Sequence, residues 1–145
     1  KVIPVEQRSR DAFQGVAKVD GDVEDATIRS LKLATGDVLA IMTFAAIGRG
    51  NHGEGMFLGD VFGTALPFLI GWFATAPLTG TFGDDARGTK TSNAAFAAAK
   101  GWIAGVPLGL VLRSVGKGAM APTPFIVVAM VANGVLLVGW RTWFA

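Results

Sequence analysis

Asp37, Lys100 and Arg113 are ionisable residues set into otherwise apolar stretches of a 145-residue chain. A lone ion in a low-dielectric medium is costly, so each asks for a partner. Counted from the start of its apolar run, Asp37 lies at about the depth of Lys100, which predicts an Asp37–Lys100 ion pair. The local alternative has Asp37 capping a late-starting helix and Lys100 snorkelling to the interface. Arg49, Glu54, Asp60 and Arg113 are expected together at the opposite end, with Arg49, Asp60 and Arg113 as a second ionic cluster. Surface pairs of that kind contribute little.

His52, the single histidine, sits in Gly48-Arg49-Gly50-Asn51-His52-Gly53-Glu54-Gly55. Imidazole is a good axial ligand for metals and for the magnesium of chlorophyll, but one histidine cannot build a closed protein metal site. The surrounding glycines permit close approach of a large ring or a partner's backbone, and they suit an ordinary turn equally well. Asn133 is the strongly polar residue of its apolar run, where it can hydrogen-bond between helices or ligate a pigment. Cysteine is absent, which excludes disulfides, thiolate metal sites and cysteine nucleophiles. No serine–histidine motif, phosphate-cradling loop or histidine pair is present, so no enzyme is expected. The basic residues are scattered and leave no nucleic-acid footprint.

The elements that must position these residues are long apolar runs. Hydrophobic residues make up 51% of the chain and its mean hydropathy is +0.48. About 20 helical residues cross the hydrocarbon of a bilayer. Four runs approach that length, at about 31–49, 57–79, 94–115 and 124–141. The first is the weakest, because Lys32 and Asp37 fall inside it. The predicted fold is all-α, a four-transmembrane-helix bundle over residues 31–145 with a polar N-terminal extension over residues 1–30. That extension holds five basic and six acidic residues and reads as solvated or partner-bound. The chain begins at Lys1 and not at Met, which favours a processed start.

Four spans place both termini at one end. Arg29, Lys32, Arg87, Lys90 and Arg141 lie near that end, and Arg49, Arg113 and Lys117 near the other, a bias favouring cytoplasmic (or equivalent) termini. Trp72, Trp102, Trp140 and Trp143 fit an interfacial belt at the terminal end, Trp140 and Trp143 best, with packing inside as the alternative for Trp102. Small residues recur every fourth position in the third span, at Ala97, Gly101, Gly105 and Gly109. The second span has Gly59, Gly63, Pro67 and Gly71. Such stripes let helices approach closely, which makes these two spans the expected central pair; alternatively the groove admits a pigment ring or an acyl chain. Pro67 and Pro107 are expected to kink their helices and open space.

Several motifs together resemble one small membrane family, domain of unknown function 3054. They are Gly36-Asp37-Val38-Leu39-Ala40, Phe44-Ala45-Ala46-Ile47-Gly48-Arg49 and His52-Gly53-Glu54, then Pro67-Phe68-Leu69-Ile70-Gly71-Trp72. Gly105-Val106-Pro107-Leu108-Gly109-Leu110 with Arg113 follows, and Pro124-Phe125 leads to Gly139-Trp140-Arg141. The resemblance covers roughly residues 33–143 and implies no activity. With the polar extension it looks like a plastid-imported member, implying a non-enzymatic accessory subunit of photosystem I and its light-harvesting antenna in the thylakoid membrane. On that reading the partners are core and antenna subunits, and the cofactors are chlorophyll, carotenoid and lipid. His52, Glu54 and Asn133 would ligate or face chlorophyll. The competing class is a small homo-oligomeric transporter using Asp37, Lys100 and Arg113 as a polar path. An assembly factor is a third.

Overall fold

A computed structural model describes residues 5–51 and 53–145, with side chains from Asp25 onward. Among the described residues there are five helices and no strand: α1 (Val5–Asn51), α2 (Leu58–Thr79), α3 (Asp84–Arg87), α4 (Thr91–Lys117) and α5 (Thr123–Phe144). Four of them carry stretches long and apolar enough to cross a membrane, at Asp25–Asn51, Leu58–Thr79, Thr91–Lys117 and Thr123–Phe144. By length and composition the chain is an integral membrane protein.

α1 is continuous across the boundary between polar extension and first span. Asp37 is therefore mid-helix, and the cap expected for a late-starting helix does not form. α2 ends in a Schellman motif: Gly80 is left-handed (φ 70°) and the Thr81 N–H donates to the Ala76 carbonyl at 3.3 Å. α4 ends similarly at Gly118 (φ 67°). Pro67, Pro77 and Pro107 lie inside α2 and α4 without ending either helix.

The long helices form a ring in the order α1, α2, α4, α5. Each packs on its two neighbours, while the backbones of the diagonal pairs α1/α4 and α2/α5 stay apart. The α2/α4 interface is the most extensive, as the small-residue stripe of α4 predicts. A Cβ at Gly109 would lie 2.9 Å from the Phe68 Cα, and one at Gly105 would lie 3.0 Å from the Trp72 Cα. One at Gly71 would collide with the Gly105 carbonyl oxygen. The α4 groove is thus filled by α2, and no room for a pigment ring opens there. Gly59 and Gly63 do not share in this packing; both face open space. Below the stripe Phe44, Phe68 and Phe125 form an aromatic cluster with centroids 5.3–6.5 Å apart. Large apolar residues such as Leu39, Phe62, Ile70, Ile103, Val111 and Val131 point outward, the face a bilayer would cover.

Candidate functional site: a buried carboxylate–guanidinium centre

The buried face of α5 repeats every fourth residue, Ala129, Asn133, Leu137 and Arg141, and ends on a charge. The buried face of α1 holds Leu33, Asp37, Ala40, Ile41 and Phe44. Where α1 and α5 meet, Arg141 and Asp37 face each other, both side chains fully buried. Arg141 Nε donates to Asp37 Oδ1 at 2.8 Å and Nη2 donates to Oδ2 at 2.6 Å. This side-on, two-bond fork is the geometry in which a planar guanidinium matches a carboxylate best.

Two indoles complete the carboxylate's shell. Trp140 Nε1 donates to Oδ1 at 3.1 Å, and Trp72 Nε1 donates to Oδ2 at 3.0 Å. The third guanidinium nitrogen, Nη1, donates to the Thr81 carbonyl at 2.8 Å. The Phe82 ring centroid lies 4.9 Å from the guanidinium carbon. Three helices, α1, α2 and α5, and the turn that ends α2 therefore converge on one ion pair. Two glycines make room for it. A Cβ at Gly36 would overlap the Trp140 indole, and one at Gly101 would stand 2.6 Å from Thr81 Oγ1 and 2.9 Å from the Trp72 ring.

Chemically the centre is closed. Each carboxylate oxygen accepts two hydrogen bonds, and the charges cancel inside the bundle. Such a pair gives little net stability by itself, but it is severe to break, because the survivor is left as an uncompensated buried charge. It links α1 to α5 and, through Trp72 and the Thr81 carbonyl, both of them to α2 and its end turn.

The expected Asp37–Lys100 pair does not form. Lys100 belongs to α4, diagonal to α1, and is exposed, with Nζ 5.1 Å from the Phe96 ring centroid. Trp72 and Trp140 leave the predicted interfacial belt for the carboxylate, whereas Trp143 is 80% exposed. Trp102 is half-buried, lying against Gly134 and donating to the Met130 carbonyl at 2.7 Å, which is nearer its inside alternative than the belt.

The second cluster also differs. Arg49 pairs with Glu54 at 3.3 Å and donates to the Gly55 carbonyl and Thr64 Oγ1 at 2.7 and 2.9 Å. It thereby ties the 53–57 segment to the start of α2. Asp60 makes no ion pair among the described residues, and Arg113 lies 3.9 Å over the Phe125 ring. Side-chain geometry turned these charges aside: a guanidinium beside an aromatic face finds the ring's negative quadrupole without crossing to an acid.

Of the pigment-facing candidates, His52 lies outside the described residues. Glu54 is committed to Arg49 and more than half exposed. Asn133 is fully buried; its Nδ2 donates to the Ala129 carbonyl at 2.9 Å, and its Oδ1 is without a partner. A ring ligated there would have to part the helices. Among the described residues no group of three or more His, Cys, Asp or Glu could hold a metal ion.

Arg141, the two indoles and Thr81 were not singled out from sequence as one site. The usable signal was Arg141's place at the Asp37 end of the four-span topology, on a helix adjacent to α1. A family model described as "Protein of unknown function (DUF3054)" matches residues 34–144. No curated protein and no solved structure matches.

Proposed function

The chain belongs to the DUF3054 family, and from that premise we propose that it is a non-enzymatic accessory subunit of a larger membrane complex. The observation that carries this reading is the closed Asp37–Arg141 centre. Its polar atoms are satisfied within the chain, so the strongest intramembrane charges act as a fastener. A transport path through Asp37, Lys100 and Arg113 loses support for the same reason. Asp37 is enclosed, while Lys100 and Arg113 each lie over a phenylalanine ring on other sides of the bundle.

The complex proposed is photosystem I with its light-harvesting antenna in a plastid thylakoid, a reading supported by the sequence resemblance and the polar extension. Chlorophyll and carotenoid would then lie against the apolar outer faces. Mild-detergent native separation of source membranes, with the chain located by mass spectrometry and band absorbance recorded, tests it. Co-migration with a chlorophyll-rich photosystem band is expected. Migration as a small colourless oligomer would overturn the proposal and return transport to first place.

A further inference from the structure

The outer surface between α1 and α5 carries an elongated groove of about 640 Å³. Its walls come from Leu31, Leu39 and Thr43 of α1 and from Leu136, Trp140 and Phe144 of α5. Gly36 also lines it: with no side chain there, the Trp140 indole lies directly against the α1 backbone.

The wall is apolar in a stricter sense than its composition suggests. Thr35 Oγ1 donates to the Leu31 carbonyl at 2.8 Å and Thr43 Oγ1 to the Leu39 carbonyl at 2.7 Å. Both hydroxyl protons are thus turned into the helix. A carbonyl or ring-nitrogen ligand, which needs a donor, would find no free hydroxyl proton at these threonines, whereas a hydrocarbon chain needs none.

Charge enters at one end only. Lys32 lines the groove, is exposed, and makes no ion pair among the described residues. Asp25, the acid on the same α1 face, is two turns away, about 10 Å along the axis, and Asp37 is enclosed by Arg141. Arg29 adds a second cation at this end, its guanidinium carbon 4.1 Å over the ring of groove residue Phe144. From Lys32 to Thr43 the groove runs about 17 Å along α1. That matches one leaflet of a bilayer whose hydrocarbon is about 30 Å thick.

We propose that this groove holds one acyl chain of an anionic glycerolipid, with the headgroup held at Lys32. The chain occupies the length between α1 and α5, and the cationic end selects the headgroup. The inference needs only that α1 and α5 cross a membrane, and so it stands or falls separately from membership of a photosynthetic complex.

The test is native mass spectrometry of the full chain in mild detergent, titrated with equal amounts of phosphatidylglycerol and phosphatidylcholine of the same acyl composition. One retained lipid per chain with phosphatidylglycerol preferred is expected. Lys32→Gln should reduce that preference about fivefold, the weight of one lysine at an anionic surface. Leu39→Trp enters the groove from a side chain that is 61% exposed, and should lower retention of both lipids while leaving the thermal midpoint unchanged. Equal retention of the two lipids by the native chain, an unaltered preference in Lys32→Gln or unaltered retention in Leu39→Trp would each overturn the proposal. So would a lipid-free dimer, which would assign the groove to a second copy.

Discussion

Asp37 and Arg141 act as one unit, and that sets how their variants behave. Asp37→Asn keeps the side chain's shape but presents an amide N–H to donors from Trp72, Trp140 or Arg141, and strands the guanidinium in the core. Removing one partner of a buried pair costs about 3–5 kcal/mol, so Asp37→Asn and Arg141→Gln should each lower the thermal midpoint in detergent sharply. Replacing both by apolar residues, Asp37→Leu with Arg141→Met, should cost less than either single change, since no charge is left buried alone. Additive losses in this cycle would show that the two residues are not coupled. Asp37 was legible from sequence as a buried charge needing a partner; its partner was not, because equal depth admitted both Lys100 and Arg141. Ring order decides between them: α5 packs on α1, while the α4 backbone stays apart from it. Asn133 was likewise legible as a buried polar residue, yet its amide bonds within its own helix, one turn back to Ala129.

At the scale of elements, close approach of α2 and α4 depends on which glycines face the contact. A Cβ at Gly71 would meet backbone, the Gly105 carbonyl and the Gly109 nitrogen, and backbone cannot rotate aside. Gly71→Ala should therefore destabilise the bundle by about 1–3 kcal/mol, the usual range for overpacking. Gly63→Ala meets nothing within 4 Å and should be neutral or stabilising by up to about 1 kcal/mol, because alanine restricts the unfolded chain more. Thermal melts of the two variants side by side check the contrast; equal losses would refute the packing assignment. The sequence stripe predicted the helix pair correctly but overextended it along α2. A four-residue step advances about 400° around a helix, so Gly59 sits about 120° round from Gly71 and looks outward. The α4 stripe stays buried over Ala97, Gly101, Gly105 and Gly109 because α2 and the Thr81 turn follow it along its length.

For the whole molecule the centre alters how the chain should sit in a membrane. Five basic residues near the terminal end against three at the other favour termini in the cytoplasm or its equivalent, but that count includes Arg141. Arg141 is fully buried and neutralised by Asp37, so it is no longer an interfacial positive charge. Arg29, Lys32, Arg87 and Lys90 then stand against Arg49, Arg113 and Lys117, and the bias shrinks to one residue. Contacts within the chain agree on which segments share an end. Arg29 Nε donates to the Arg87 carbonyl at 3.2 Å, and Arg141 reaches the Thr81 carbonyl. The α2–α4 connection and the C-terminus therefore lie together, and Met120 lies in the connection at the far end. Because the chain has no cysteine, single cysteines report sidedness without background. Expressed in bacterial cells, Met120→Cys should react with an impermeant maleimide added outside, and Thr89→Cys only after permeabilisation. Lys32→Gln combined with Lys90→Gln leaves two basic residues against three, and should reverse or mix that pattern. An unchanged pattern in the double variant would mean that something other than these loop charges orients the bundle, with the charge-rich sequence before the first apolar run the first segment to examine.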